Sequence, residues 1–259
     1  MLDLRRLRGS LAPLVLPLAV VLVAACAPSA PQLSDPKEIL VRSLETLQQT
    51  KSVHLVADVS GQFPLDPLGI GSSRPLDYSG TRLEGDLDIA GKKARLSFSA
   101  PAFNLSGEVI QVGETSYLKV SLLGDKYVKS TTDEAGVPAE VSDPQQAIAD
   151  LRAALDELAT PPEKLGDEKC GDADCYRVAV RVAASELGEL GALGGSSGGP
   201  GDVRLEVWVR KSDLRPAKVA LTAAAAGQGS LSVTLTLSDF DRPVTIVEPP
   251  PDQVQEGLF

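Results

Sequence analysis

The chain is read as an α+β fold, a large antiparallel β-sheet with two helices, and two observations carry that reading. Segments with period-two alternation recur from Val53 to Leu237, the pattern of strands with one dry and one wet face. Two Ser-Asp-Pro triplets, at 34–36 and 142–144, each open a stretch with apolar residues at helical spacing.

In chain order, Ser34-Asp35-Pro36-Lys37-Glu38 starts the first helix. Asp35 or Ser34 can cap it, Pro36 suits the first turn, and Glu38 favours the positive helix end. Ile39, Leu40, Leu44 and Leu47 share one face, and Gln48-Gln49-Thr50-Lys51 closes the helix. Strands follow at 53–59, 81–89, 94–99, 107–112, 115–120 and 126–130, with Gly113-Glu114 as a hairpin signal. Behind the second Ser-Asp-Pro, Ile148, Leu151, Leu155 and Leu158 form a stripe that Pro161-Pro162 ends. Strands at 176–182, 203–210, 216–223 and 230–237 complete about ten strands. Each helix covers a band about 10 Å wide, while strands repeat every ~4.8 Å, so two helices leave part of the apolar face to be covered by curling, a ligand or a partner. The Pro- and Gly-rich segment 61–78 is a candidate lid or binding element, or a disordered insertion, and the Gly-rich segment 186–202 reads as a mobile loop.

The first residues have a separate logic. Arg5, Arg6 and Arg8 precede an apolar run from Leu11 to Ala25, interrupted by Pro13 and Pro17 and followed by Cys26. This is the pattern of a secretory signal peptide; a transmembrane helix is disfavoured by the two prolines and by a length below the ~20 residues a span requires. Val23-Ala24-Ala25-Cys26 resembles the bacterial lipobox, which implies a diacylglyceryl anchor on Cys26. Residues 1–25 are then the signal peptide, 26–34 a lipidated tether and 35–259 a single domain. The first 25 residues hold three of the 25 basic and one of the 35 acidic residues, so the remainder carries about −12. With no basic run, nucleic-acid binding is excluded and anionic headgroups offer no attraction. Cys170 and Cys175 read as a disulfide closing a tight loop in an exported chain, with a metal site through Asp172 and Asp174 as the weaker alternative.

Other chemical signals are thin. Gly195-Ser196-Ser197-Gly198-Gly199 matches G-x-S-x-G but lies in low-complexity glycine, without the strand and helix that would strain a nucleophile outward. His54 is the sole histidine and sits mid-strand; Asp86 and Asp88 share the solvent face of one strand; Trp208 alternates onto the charged side, at an edge under loop cover. No phosphate loop, dinucleotide fingerprint or metal motif is present, and no cofactor is expected.

The order of lipobox, tether, capped helix, strand meander and mid-chain helix is followed by Val207-Trp208-Val209 and Asp213-Leu214-Arg215-Pro216. The chain then ends in Leu237-Ser238-Asp239-Phe240-Asp241 and Val244-Thr245-Ile246-Val247-Glu248-Pro249-Pro250. Over residues 34–254 this resembles the LppX/LprA/LprF/LprG lipoproteins of mycobacteria and their relatives; the 170–175 and 186–202 segments do not map onto that family. The resemblance implies a strongly curved half-barrel, similar to LolA and LolB, with helices on its concave face and an apolar cavity for acyl chains of lipids or glycolipids. It also implies carriage within the cell envelope without covalent chemistry, by a monomer anchored at the outer face of the cell membrane and handing lipid to or from an envelope transporter. On this reading the cavity wall is Leu87, Leu96, Phe98, Val180, Val207, Val209, Leu221, Val233 and Leu235, faced by Ile148, Leu151 and Leu155, with segment 61–78 at the mouth. The competing readings are a lipoprotein with a solid core that acts through protein partners, and a lipid hydrolase with an unrecognised site.

Overall fold

Asp35 begins helix α1 (Pro36–Gln48) by accepting hydrogen bonds from the backbone N–H of Lys37 at 2.9 Å and of Glu38 at 3.5 Å, with Pro36 in the first turn. In this computed structural model residues 32–63, 75–131, 144–182, 203–225 and 229–256 are described; the first 31 residues with Cys26, the segment 64–74, the Ser142-Asp143 cap and the Gly-rich 186–202 with its G-x-S-x-G lie outside them.

The strands are β1 (Ser52–Phe63), β2 (Leu76–Asp77), β3 (Thr81–Asp88), β4 (Lys93–Ala100), β5 (Leu105–Val112), β6 (Thr115–Val120) and β7 (Tyr127–Thr131). Helix α2 (Pro144–Glu157) follows, then β8 (Glu163–Lys164), β9 (Glu168–Cys170), β10 (Ala173–Val182), β11 (Val203–Arg210), β12 (Pro216–Ala225), β13 (Gly229–Ser238) and β14 (Val254–Glu256). They form one open sheet in the order β14-β7-β6-β5-β4-β3-β1-β13-β12-β11-β10-β8, with β2 beside β1 and β9 beside β10. The fold is therefore α+β, an open and mostly antiparallel sheet with two helices, as the alternation predicts. A sheet this wide accumulates right-handed twist and curls rather than staying flat. Two meanders, β3–β7 and β10–β13, are joined by β1, which pairs with β3 on one side and β13 on the other.

The four shortest strands escape the sequence pattern because two or three residues show no period. One pair departs from the antiparallel rule: β14 runs parallel to β7, with Val254 opposite Tyr127. Chain from Val244 onward reaches that edge by crossing the outer face, where Ile246 is buried against Ile110, Tyr117 and Tyr127. Beneath it the Tyr127 hydroxyl donates to Glu108, whose other oxygen accepts from Arg95 Nε at 2.5 Å; burial, then the Glu108 carboxylate, push the Tyr127 pKa up to about 12.

Helix α1 lies over β10 and β11, and α2 runs antiparallel along it. Lys37 pairs with Asp156 at 2.8 Å, Arg152 with Glu45 at 3.2 Å, and Gln145 Nε2 donates to the Gln48 carbonyl at 3.2 Å. The turn 211–215 locks α1 down. Leu214 adopts φ 58°, packs against the α1 cluster and accepts from Thr46 Oγ1 at 3.0 Å. Asp241 accepts from the Lys51 N–H at 2.8 Å and pairs with Arg215, while the Phe240 ring stacks under Arg210 and Arg215 at 5.0 and 5.1 Å. Cys170 and Cys175 are joined across the β9–β10 hairpin, Cα atoms 5.9 Å apart.

The wet face carries a charge lattice. His54 Nδ1 lies 2.9 Å from Asp86, and Asp88 caps the β3–β4 turn through the Gly91 N–H at 2.8 Å. Trp208 does not sit at an edge: β11 lies between β10 and β12, and the indole is buried under Lys218 at 3.6 Å and Arg177 at 5.1 Å while Nε1 donates to Glu168 at 3.2 Å. The long cationic side chains supply the cover expected from loops. Burial pushes the Glu206 carboxyl up, but hydrogen bonds from Arg204 and Arg177 outweigh it and hold the pKa below its ordinary value. Asp241 is lowered by the Lys51 N–H and, against some burial, by Arg215. Folded pKa values depressed in this way add stability that is complete above the unfolded values of about 4 and is lost as pH falls through the folded ones. Thermal melts between pH 6 and pH 3 should show a falling Tm, with a shallower fall in Glu206→Gln.

Candidate functional site

Strand register decides which side chains share the face under the helices. One row crosses the sheet as Val207–Val219–Leu235–Ala57–Leu83–Phe98–Gly107–Val120. A second runs Val180–Leu205–Leu221–Val233–Val59, and a third Leu237–Leu55–Gly85–Leu96–Val109–Leu118–Val128. Leu87 stands in a fourth, between Val53 and Ala94. All nine strand residues expected in the wall therefore lie on one apolar face, as period two requires.

Cover over that face is uneven. Ile39 and Leu40 of α1 pack on Tyr176, Val178, Val180, Val207 and Val209, with Leu155 and Leu158 beside them. Val180, Val207 and Val209 are buried there in solid packing. Toward the far end of the same strands, Tyr78 closes over Val203, Ala223 and Leu231, with Leu221 and Val233 alongside and the Phe103 ring 6.0 Å from that of Tyr78. Leu235, Leu237, Leu55, Leu83, Leu87 and Phe98 are only half-buried and stand outside these packed clusters among the described residues. Leu96 is buried. On α2, Ile148 is buried, Leu155 joins the α1 cluster, and Leu151 is 55% exposed. Leu55, Leu83 and Val109 belong to the face as fully as the expected residues; the alternation of their strands carried that signal.

Small residues keep the floor of the half-covered region low. A Cβ on Gly85 would strike the Arg95 carbonyl, and one on Gly107 would lie 2.5 Å from Cζ of Phe98. The Phe98 ring thus lies down over Gly107 instead of standing up from the sheet, and Ala57 adds a third short side chain. The result is a broad hydrocarbon surface across β1, β3 and β5, on which Leu55, Leu83, Leu87 and Val109 are half-buried. Polar chemistry on it is sparse. Gln111 and Ser116 are cross-strand partners, 3% and 0% exposed. Gln111 Oε1, Ser116 Oγ and Thr81 Oγ1, all on this face, have no hydrogen-bond partner. Inward-facing Gln111 and Ser116 break the apolar alternation, a signal that the sequence reading passed over.

Two substitutions probe the geometry. Gly107→Ala should cost about 1–3 kcal/mol by forcing Phe98 and β6 to move, measured by denaturant unfolding. Ser116→Ala should be neutral or stabilise the lipid-free protein by up to about 1 kcal/mol, because it removes a buried hydroxyl with no partner.

Known proteins share this architecture. The family described as LppX_LprAFG lipoprotein matches residues 35–246. The lipoarabinomannan carrier protein LprG of Mycolicibacterium hassiacum is 25% identical over 249 residues, covering 89% of this chain and 93% of that protein. Among crystal structures, LprF from Mycobacterium bovis superposes with a TM-score of 0.54 at 17% identity, covering 83% of this chain and 96% of that one. LppX from Mycobacterium tuberculosis also gives 0.54, at 15% identity, covering 82% and 98%. With the match spanning most of the sequence and the fold shared with LprF and LppX, the chain belongs to the LppX_LprAFG lipoprotein family.

Proposed function

We propose that this protein binds the acyl chains of a lipid or glycolipid over the half-covered apolar face and carries them within the bacterial cell envelope, without covalent chemistry. The observation that supports the reading most is the split of one continuous apolar face into a part filled by α1 and a part, from β13 to β4, where Leu235, Leu237, Leu55, Leu83, Leu87 and Phe98 remain half-buried. The relative named as a lipoarabinomannan carrier supports a glycolipid as ligand. Leu55, Leu83, Leu87, Phe98 and Leu235 are the wall on this reading, and α1 with α2 is the fixed side of the site. Cys26 provides the diacylglyceryl anchor that holds the protein at the outer face of the cell membrane, and residues 26–34 are the tether.

Burial is the driving force. Each methylene moved from water onto an apolar wall contributes about 0.8 kcal/mol. A chain of roughly fifteen methylenes thus retains useful affinity after ordering costs, with no specific polar contact. Protein purified from its own host should carry extractable lipid and show the added mass in native mass spectrometry. Leu83→Trp, which fills space beside Phe98 and Ala57, should reduce that lipid severalfold while leaving the circular dichroism spectrum unchanged. Lipid-free protein from the native host, with a solidly packed interior, would remove the carrier reading.

A further inference from the structure

The described turns at the two rims of this sheet differ in character. At one, the turns that join β3 to β4, β5 to β6 and β11 to β12, with the chain entering β1 and leaving β13, hold Lys51, Glu114, Lys211, Asp213, Arg215 and Asp241. At the other, the described turns are 78–80, Pro101–Phe103 with Asn104, and 121–126, in which only Asp125 and Lys126 are charged. The β6–β7 turn at this second rim presents Leu122 and Leu123, 69% and 48% exposed. They are held out by a defined turn. Leu123 N–H donates to the Val120 carbonyl at 2.9 Å, Ser121 N–H to the Ser106 carbonyl at 2.8 Å, and Gly124 takes φ 102° in open space. At the same rim Phe103 and Tyr78 pack together onto the sheet face.

We infer that this rim docks on the lipid bilayer, with Leu122 and Leu123 entering the acyl region. A protein partner fits less well. Two leucines on a hairpin tip fall far short of the roughly 800 Å² per side of a stable interface, and leucine is under-represented among binding hot spots. A bilayer asks for only a few apolar side chains, since chain already tethered to the surface meets it at high local concentration. Lys119, whose ammonium lies 5.8 Å from the Tyr127 ring centre, and Lys126 flank the tip where headgroup phosphates would lie. The charge of about −12 on the chain after residue 25 makes the contact apolar rather than electrostatic, so neutral lipid suffices. The rim also carries the two ends of segment 64–74, at Phe63 and Leu76, which pair as β1 and β2. Docking there would set the apolar face beside the membrane, a consequence that rests on the carrier reading.

The test places tryptophan at the tip of the full-length protein, as Leu122→Trp, and at the opposite rim, as Glu114→Trp, with the buried Trp208 as a constant background. On phosphatidylcholine vesicles, lipid brominated in the acyl chain should quench the added emission of Leu122→Trp and leave that of Glu114→Trp unchanged. Equal emission of Leu122→Trp with brominated and ordinary lipid overturns the inference and leaves the tip to a protein partner. Equal quenching of both variants overturns it as well, since contact would then not be confined to one rim. Leu122→Ser with Leu123→Ser should slow transfer of a fluorescent lipid between vesicles about tenfold or more, with the lipid held per protein unchanged. A wild-type protein that holds no lipid would refute the carrier reading while the quenching result still decides the docking.

Discussion

The double pairing of β1 is the constraint on which the rest depends. This strand of twelve residues holds β3 in register from Ser52 to Val59 and β13 from His54 to Gln62. Without it the chain would be two separate meanders, each with a raw edge and half an apolar face. With it, the first strand takes up the last long one, and every inward position of the two halves falls into common rows. A slip of one residue would turn His54, Val56 and Asp58 inward and send Leu55, Ala57 and Val59 to water, so the pairing is fixed by the cost of that exchange. The rim contacts around Asp241, Lys51 and Arg215 clamp this junction at the end where α1 delivers the chain.

The helices then determine what the face can do. α1 fills the hollow over β10 and β11, and its attachment by Thr46 and Leu214 keeps it there. Over β13, β1, β3 and β4, Leu235, Leu55, Leu83, Leu87 and Phe98 are left half-covered, and Gly85, Gly107 and Ala57 lower the surface where larger side chains would have risen. On the proposed reading, half-covered hydrocarbon beside a solidly packed flank is where an acyl chain lies. Such a site demands little directional chemistry, since burial of methylenes carries the binding.

The opposite face keeps the sheet soluble by a different device. Glu206 between Arg177 and Arg204, and Trp208 beneath Arg177 and Lys218, form a continuous charged cover over apolar ring surface. At the other half of the sheet the same task falls to the C-terminal strap, which lays Ile246 over Ile110 and Tyr117 before adding β14 to the edge. The Leu-Arg-Pro and Asp-Phe-Asp words near the end of the chain meet at one rim, where their side chains stack and pair.

Alternation and capping by themselves determined the helices, the ten longer strands and the membership of the apolar face, because periods of 3.6 and 2.0 are written locally in residue order. Leu87, Leu96, Phe98, Val180, Val207, Val209, Leu221, Val233 and Leu235 could be placed together from spacing alone. Spacing could not tell Val180, Val207 and Val209, packed solid under α1, from Leu87 and Leu235, which are half-covered. That difference depends on where a helix lands, which is a matter of contacts between residues more than a hundred positions apart. The same limit hid the short strands, the parallel β14, the ring of Phe98 lying over Gly107, and the burial of Trp208 under side chains of neighbouring strands. Local sequence sets which way each side chain points; only the folded sheet decides what, if anything, it points at.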